Sequence, residues 1–476
     1  MKKILLLSAC LCGLFAKTVD FDTVLKEALN NNLELKAKKL NIDKAKADLN
    51  KAKGYNWGKL TLSEEISRTN NAMYVFGMKL ESREATFRDF GFKDFLGGVS
   101  QALQMSGGDF NTFSNMMQNP AMQNALLDTA PDDLNNPGSR TNFKTKLVYE
   151  VPLFTGFKLT YAKEMAGLQV KANKYKYAHD KNKLAIEVLK AYNGAVAAKY
   201  FIGALKKAKE TTTSFVNMIK EFYNEGMATN IDLLQAQKRD NEVNAMLIEA
   251  ESKYQLALSY LKFLTDDENI DDVKDFKVIF TPDTPLKKLI KEALKNRNDL
   301  KWMKANVETM QKKVKMDKSD YYPMAGAHLE YGFNDNAPTL STKKDYYLAA
   351  VGINWKLFDK SRGANIQKSK IEAIQTDYYY KYMQKGIALD VKQKYFNFKS
   401  KHAVVKEKIT NKNLAEEILK KYTYMYKQGM INITILLMKE AEARKARAEL
   451  IKARYDEALA AAELKEAIGD LLKESK

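Results

Sequence analysis

Proline is absent from two long stretches of this chain, and this absence restricts the possible fold more than any other feature. Only eight of 476 residues are proline, and none falls within 153–281 or 339–476. Because an internal proline breaks a helix, these stretches favour very long helices. Apolar residues recur there at three- and four-residue spacing, for example at Leu184 and Val188. We predict helices over 158–223 and 363–426, each about 65 residues and on the order of 100 Å long.

A short segment follows each predicted helix, and it occurs twice. Tyr223–Gln237 reads YNEGMATNIDLLQAQ and Tyr426–Glu440 reads YKQGMINITILLMKE. Each contains a glycine suited to end a helix and, three residues later, a polar residue suited to cap the next one. We therefore predict two helical hairpins, with return helices over 231–264 and 433–472. Their tips are Gly226, Met227, Ala228 and Thr229 in the first hairpin and Gly429, Met430, Ile431 and Asn432 in the second.

The repetition extends beyond the tips. Gly226 and Gly429 are 203 residues apart, whereas the similar segments Val24–Leu29 and Leu289–Leu294 are 265 residues apart. We predict that each of these segments opens a helix of about thirty residues. The difference indicates an insertion over 70–141, which we predict to be a large loop with short helices near 99–105 and 121–127. We predict two repeats, 17–282 and 283–476.

Apolar and polar residues alternate over 59–68, 143–151, 325–333 and 347–355. Strands of about ten residues with one apolar face are typical of a membrane β-barrel. The alternative is a soluble sheet packed on a core. Aromatic residues at the strand–helix junctions favour a membrane interface. These residues are Tyr55, Trp57, Phe154, Tyr321, Tyr322, Trp355 and Phe358.

The segment 1–16 is typical of a secretory signal peptide, with Lys2 and Lys3 before an apolar run and cleavage predicted after Ala16. The segment ending at Cys10 also resembles a lipoprotein cleavage box, which is the alternative. Cys10 and Cys12 are the only cysteines, so the predicted mature chain lacks thiol chemistry. The formal charge is +19. Because the lysines are spread along helix faces, they favour solvated surfaces over nucleic-acid binding.

The residues indicate no enzyme site and no cofactor. His179, His328 and His402 are scattered, without the spacing of metal ligands. There is no glycine-rich phosphate loop after a strand and no G-x-S-x-G motif. The insertion contains several methionines, which are more typical of flexible packing than of soft-metal transport.

The repeated order of helix, two strands, long helix, tip and return helix resembles the TolC family of outer-membrane efflux proteins. The resemblance covers about 19–472 and is carried by the glycine tip before Ile231-Asp232-Leu233-Leu234, the junction PLFTG at 152–156, and the duplication. It implies a mixed α/β membrane protein in which four strands per chain complete a trimeric twelve-stranded barrel, while coiled-coil helices form a periplasmic tunnel. Independently, four strands alone leave open edges that lipid does not tolerate.

The resemblance also implies a location and partners. It places the chain in the outer membrane of a Gram-negative bacterium, as a passive duct for drugs and toxic compounds. It implies a homotrimer in contact with lipid, acting with an inner-membrane pump and a periplasmic adaptor that docks on the tips. Type I protein secretion is the alternative within this class, and a periplasmic coiled-coil scaffold is the alternative from another class.

The predicted gate departs from the family. Family members carry two acidic residues on the second return helix, and Ile435 and Met438 take their places here. Asp232 keeps its carboxylate, but the usual basic partner is replaced by Ile431. We predict an apolar constriction formed by Ile435 and Met438, with Asp232 bonded to a different donor. The alternative is that these two side chains pack against a neighbouring helix and the constriction lies elsewhere.

Overall fold

Two pairs of long helices dominate the chain, as the proline-free stretches predict. The computed structural model describes residues 17–277, 284–469 and 471–472. The predicted signal peptide, the lipidation alternative at Cys10 and the predicted boundary between the repeats lie outside these residues. The described helices, in chain order, are α1 (Phe21–Asn31), α2 (Leu33–Gly54), α3 (Ala72–Glu81), α4 (Phe92–Met105), α5 (Phe110–Gln118), α6 (Pro120–Leu127), α7 (Asp132–Asn135), α8 (Lys158–Asn224), α9 (Asn230–Thr265), α10 (Leu286–Asn296), α11 (Asn298–Lys318), α12 (Ser361–Lys427) and α13 (Ile433–Ile468).

The two hairpins have matching lengths. The outgoing helices α8 and α12 each have 67 residues, and the return helices α9 and α13 each have 36. Every bound of the second pair follows the corresponding bound of the first at the same offset that separates Gly226 from Gly429. This confirms the predicted helices to within a few residues, and α13 ends at Ile468, short of the predicted 472. The common origin of the two halves stays a prediction.

The prediction of one thirty-residue helix in each half is wrong in one respect. Each half has two helices with a break between them, α1 and α2 in the first and α10 and α11 in the second. Asn32 separates α1 from α2, with its side-chain amide donating to the Leu264 carbonyl at 3.1 Å and its Oδ1 accepting from the Leu35 N–H. Arg297 separates α10 from α11, with a long hydrogen bond of 3.5 Å to the Ala467 carbonyl. In both halves the break lets a polar side chain bind a carbonyl near the end of the return helix.

The described strands are β1 (Lys17–Val19), β2 (Lys59–Thr69), β3 (Arg140–Phe154), β4 (Ile270–Val273), β5 (Met324–Asp335) and β6 (Asp345–Asn354). β2, β3, β5 and β6 form one antiparallel sheet in that order, which confirms the four predicted strands. β2 and β6 are its edges. The parallel pair β1 and β4 was not predicted, since strands of three and four residues are too short to show a period.

The register of the sheet separates an apolar side from a polar side. Leu62, Leu147, Tyr331 and Tyr347 form one row across all four strands. Leu62 and Tyr347, on the two edge strands, are 72% and 83% exposed. The neighbouring row on the opposite side is formed by Ser63, Lys146, Gly332 and Tyr346. The sheet therefore presents a broad apolar face that this chain alone does not cover.

The described residues form two compact units. The helical unit combines residues of Met1–Asp48, Glu164–Gln311 and Ser369–Lys476. The sheet unit combines Leu49–Lys163 and Lys312–Lys368 and includes the four-stranded sheet. The predicted repeats are a different division of the chain and stay a prediction. In the described part of the chain, no helix has both the length and the hydropathy of a membrane-spanning helix.

The main core of the helical unit lies where α1, α8, α9 and the β1–β4 pair meet. Leu189, Tyr192, Leu261 and Ile270 are among its fully buried side chains. The Tyr192 hydroxyl donates to the carbonyls of Val19 and Asp275, at 3.4 and 3.3 Å. Burial raises the pKa of Tyr192 to about 12, so its hydroxyl remains a donor near neutral pH.

The insertion within the sheet unit folds into five helices, α3 to α7, rather than an irregular loop. Two of them, α4 and α6, contain the predicted short helices near 99–105 and 121–127. Glu81, at the end of α3, bonds Asn334 Nδ2 at 2.6 Å and Lys144 Nζ at 3.3 Å. Asn334 and Lys144 are paired on the polar side of the sheet. The insertion is thus attached to the sheet on its polar side.

A second group of contacts attaches the insertion to the β5–β6 hairpin. The Arg83 guanidinium donates to the carbonyls of Lys343 and Asp345, at 3.0 and 2.7 Å. The Glu84 carboxylate accepts hydrogen bonds from both Arg140 and Lys344. Residues 81–84 therefore anchor the insertion, whereas α4, α5 and α6 follow this anchor in the chain.

Candidate functional site

The two hairpin tips are built from the same backbone geometry. Gly226 and Gly429 have φ angles of +75° and +66°, a left-handed conformation that favours glycine. The Met227 N–H donates to the Phe222 carbonyl at 2.7 Å, and the Met430 N–H to the Met425 carbonyl at 3.0 Å. These bonds satisfy carbonyls at the end of each outgoing helix. A Cβ added at either glycine would meet no atom within 4 Å, so both positions face open space.

The return helices begin with side-chain caps, which identify the donor for Asp232. The Thr229 hydroxyl accepts from the Asp232 N–H, and the Asp232 carboxylate accepts from the Thr229 N–H at 2.9 Å and the Thr229 hydroxyl at 2.7 Å. This reciprocal arrangement is a capping box. In the second tip, the Asn432 side chain accepts from the Ile435 N–H at 3.0 Å. Asp232 therefore stabilises the start of its own helix.

Beneath the tips, all four long helices share one apolar core. It consists of Phe215, Ile219, Ala236, Leu419, Tyr426, Ile433, Leu436 and Ala443. Ala228 and Ile431 of the tips pack partly against it. Burial, together with the negative charge of Asp232, raises the pKa of the Tyr426 hydroxyl. This shared core therefore packs against both tips.

The outermost tip residues leave apolar side chains in solvent. Met227 is 63% exposed and Met430 is 66% exposed, and both follow the left-handed glycines. Ile231 in the first turn of α9 is also 66% exposed. Large apolar groups projecting from the end of a helical hairpin are suited to contact another protein.

The two residues of the predicted gate differ in exposure. Met438 is 49% exposed and lines a surface groove between α9 and α13, together with Gln235, Thr434 and Leu437. Ile435 is half-buried. The gate formed by Ile435 and Met438 stays a prediction.

A buried ion cluster near the tips was missed from the sequence. Glu440 is only 2% exposed, and its carboxylate lies 3.0 Å from Arg239 Nε on α9 and 3.4 Å from Arg444 Nε. Arg239 also bonds Glu242 at 3.0 Å. The sequence signal is that Glu440 follows Ile433 and Leu436 on the buried face of α13. This cluster ties the two return helices together, since an unpaired carboxylate would be costly there.

The predicted interface aromatics lie at the strand–helix junctions of the sheet unit. Phe154 packs edge-on against Phe157, which packs edge-on against Tyr322. The Trp355 indole N–H donates to the Tyr321 carbonyl at 3.0 Å. Trp57 and Phe358 remain 79% and 88% exposed, and Tyr55 is 55% exposed.

Arg362 is a junction residue that the sequence pattern did not indicate. Its side chain is buried, lies over the Tyr321 ring at 4.7 Å and donates to the carbonyls of Asp320, Lys356 and Leu357. The bonds to Lys356 and Leu357 satisfy carbonyls between β6 and α12, and the bond to Asp320 satisfies a carbonyl between α11 and β5. Within the described residues, no group of three or more His, Cys, Asp or Glu side chains is arranged to hold a metal ion.

Comparison with known proteins establishes the family. The model of the outer membrane efflux protein family matches residues 110–265 and 289–470, which is more than half of the chain. The chain belongs to the outer membrane efflux protein family. This confirms the resemblance to TolC-family channels and assigns the protein to outer-membrane efflux. No curated protein matches this efflux protein by sequence at a significant level.

Solved structures confirm the fold of this efflux protein. It is similar to CusC, described in terms of transmembrane channel formation, at a TM-score of 0.74 and 12% identity, over 95% of this chain and 93% of that one. It is similar to the CmeC outer membrane channel of Campylobacter jejuni, at 0.73 and 15%, over 95% and 86%. It is also similar to the outer membrane protein VceC of Vibrio cholerae, at 0.71 and 12%, over 94% and 96%.

Proposed function

We propose that this protein is a passive exit duct for small toxic molecules, formed by three copies of the chain. The observation that carries the proposal is the four-stranded sheet with one apolar face and two unpaired edges, β2 and β6. In lipid, unpaired strand edges cost several kcal/mol per unsatisfied group, so the edges of neighbouring copies pair and close a barrel. Twelve strands then place the apolar face toward lipid and the polar face around the lumen.

Energy for transport comes from outside the duct. The chain belongs to an efflux family, and the proposed partners are an inner-membrane pump and a periplasmic adaptor. The adaptor docks on the hairpin tips, at Gly226 to Thr229 and Gly429 to Asn432. Exposed Met227 and Met430 support this assignment, because flexible thioether side chains adapt to a partner surface.

The proposed gate is an apolar constriction near the same tips, formed by Ile435 and Met438. The capping box of Asp232 supports it, because this carboxylate is already bonded within its own tip. A narrow apolar ring blocks ions by losing its water, whereas a ring of carboxylates binds cations.

Tip substitutions test the docking role through export. Cells that lack the native copy of the gene and carry a plasmid copy are compared for accumulation of ethidium, a bile salt and a fluoroquinolone. We expect Gly226→Phe and Gly429→Phe to lose export at unchanged levels of assembled protein, since a large side chain there enters open space that a partner needs. Left-handed backbone costs a non-glycine residue about 1–2 kcal/mol, so both variants remain folded.

The matched controls are Gly226→Asn and Gly429→Asn, because asparagine adopts the left-handed conformation with less strain. We expect these controls to export normally. Normal export by both phenylalanine variants would overturn docking at the tips. Unchanged accumulation of all three compounds in cells without the gene would instead contradict small-molecule export.

A further inference from the structure

Lys17, at the start of β1, is held at both of its nitrogen atoms by carboxylates. Its backbone N–H donates to the Asp271 carboxylate at 3.1 Å. Its Nζ donates to Asp267 at 2.5 Å and to Glu27 at 3.0 Å. The bonds to Asp267 and Glu27 raise the pKa of the Lys17 side chain, which therefore stays charged. We refer to Glu27, Asp267 and Asp271 as the Lys17 site.

A shift in strand register brings Asp271 to the backbone nitrogen of Lys17. In the parallel pair of β1 and β4, Lys17 lies opposite Ile270 and Thr18 lies opposite Asp272, so β4 has one extra residue between these partners. That residue is Asp271. An extra residue in one strand re-aims a side chain out of the regular ladder. Here the re-aimed carboxylate meets the N–H at the start of β1.

The surroundings of Lys17 are strongly acidic. Residues 266–272 read DDENIDD, with five carboxylates and no cation. In the described part of the chain, Glu27 Oε2 is buried and has no hydrogen-bond partner. Buried acceptors are normally satisfied. The Lys17 site therefore has negative charge and acceptor capacity beyond what one lysine side chain uses.

The segment after Lys17 is fixed in the main core of the helical unit. Val19 is only 2% exposed, and its carbonyl accepts from the Lys274 N–H at 3.0 Å. Phe21, at the start of α1, is buried in the same core. Because β1 is paired with β4 and followed by this core, the Lys17 nitrogen stays beside Asp271.

We propose that the Lys17 site binds the α-ammonium group that Lys17 acquires when the chain is cleaved after Ala16. A signal peptidase hydrolyses the Ala16–Lys17 peptide bond with one water molecule, which leaves a carboxylate on Ala16 and an ammonium group on Lys17. An ammonium group has three N–H donors, whereas the backbone amide has one. Its hydrogen bonds to carboxylates are charge-assisted and stronger than those of an amide.

Cleavage and completion of the fold are thereby linked. Before cleavage, one ammonium group faces the three carboxylates of the Lys17 site, and after cleavage two do. An N-terminus at another residue, including a lipidated Cys10, leaves the Lys17 nitrogen as a neutral amide. The site therefore favours cleavage after Ala16 over lipidation. It does not depend on oligomer assembly, since all its residues belong to one copy.

The intact mass of the protein extracted in mild detergent tests the position of the N-terminus. We expect the mass of a chain that begins with unmodified Lys17. The mass of a chain that begins at Cys10 and carries acyl chains would overturn the proposal. A chain that begins at any other residue would overturn it as well.

Thermal unfolding of the same preparation tests the contact with Asp271. We expect Asp271→Asn to lower the midpoint by about 2–4 °C, because the α-ammonium group loses its carboxylate. Two glycines inserted between Ala16 and Lys17 move this ammonium group away from the site, and intact mass verifies that cleavage after Ala16 is retained. In the extended chain, we expect Asp271→Asn to lower the midpoint much less, since the two changes remove one interaction.

The matched control is Glu268→Gln, which removes one negative charge from an exposed position in the same acidic loop. We expect this variant to unfold at the midpoint of the unsubstituted protein. Equal shifts from Asp271→Asn in the normal and the extended chain would overturn the site, because Asp271 would then act independently of the α-ammonium group. No shift in either chain would overturn it too.

Discussion

Asp232 shows at the scale of a residue what the sequence could and could not predict. The sequence indicated that this carboxylate had lost a basic partner, because Ile431 replaces it. In the structure, the partner of Asp232 is Thr229, three residues earlier in the chain, because the two residues cap each other. A capping box is readable from sequence as T-x-x-D, so this donor was predictable in principle. The Arg239–Glu440 pair was not, because its members are far apart in the chain.

The proposed gate gives the prediction at this scale. In planar bilayers, we expect the unmodified channel to conduct poorly and to be barely blocked by divalent cations added from the tip side. Ile435→Asp/Met438→Asp should introduce such block, because closely spaced carboxylates bind divalent cations whereas apolar side chains do not. Ile435→Asn/Met438→Asn is the matched control, since it adds polarity without charge. Strong divalent block of the unmodified channel would contradict an apolar gate.

At the scale of elements, periodicity located the long helices and the sheet because both patterns run for many residues. For that reason, the 67-residue helices and the four strands of 10 to 15 residues could be predicted from the sequence. The breaks at Asn32 and Arg297 were not, since each depends on a carbonyl far away in the chain. The insertion was predicted to be mostly loop because its helices are short and separated by glycine, proline and asparagine.

The insertion supplies a prediction at the element scale. A Cβ at Gly91 would lie only 2.2 Å from the Pro131 Cβ, so Gly91 and Pro131 are neighbours in space. Deleting residues 92–130 and joining these positions through two added glycines removes α4, α5 and α6 but keeps the anchor at residues 81–84. We expect oligomer assembly to remain intact, as judged by native gel after detergent extraction.

A paired variant identifies what the anchor contributes. In the same deletion background, Glu84→Ala removes the acceptor shared by Arg140 and Lys344, and we expect it to lower the yield of assembled protein. Leaving two buried or half-buried cations without this acceptor costs on the order of 1–3 kcal/mol. Failure of the deletion itself to assemble would show that α4 to α6 are structural.

External protease should cut the insertion in intact cells if it lies outside the membrane.

At the scale of the whole molecule, the four-stranded sheet has one apolar face and two unpaired strand edges. Each of these features is incomplete in one chain. Family membership assigns the protein to outer-membrane efflux. In the proposed trimer, the edges of neighbouring copies pair, and three sheets complete one barrel.

The measurement that tests this claim most directly is the native mass of the protein extracted in mild detergent, with circular dichroism of the same sample. The account predicts particles that contain three chains and retain β-structure. A stable monomer with intact β-structure would contradict it, because the sheet would then tolerate two open edges without a neighbour.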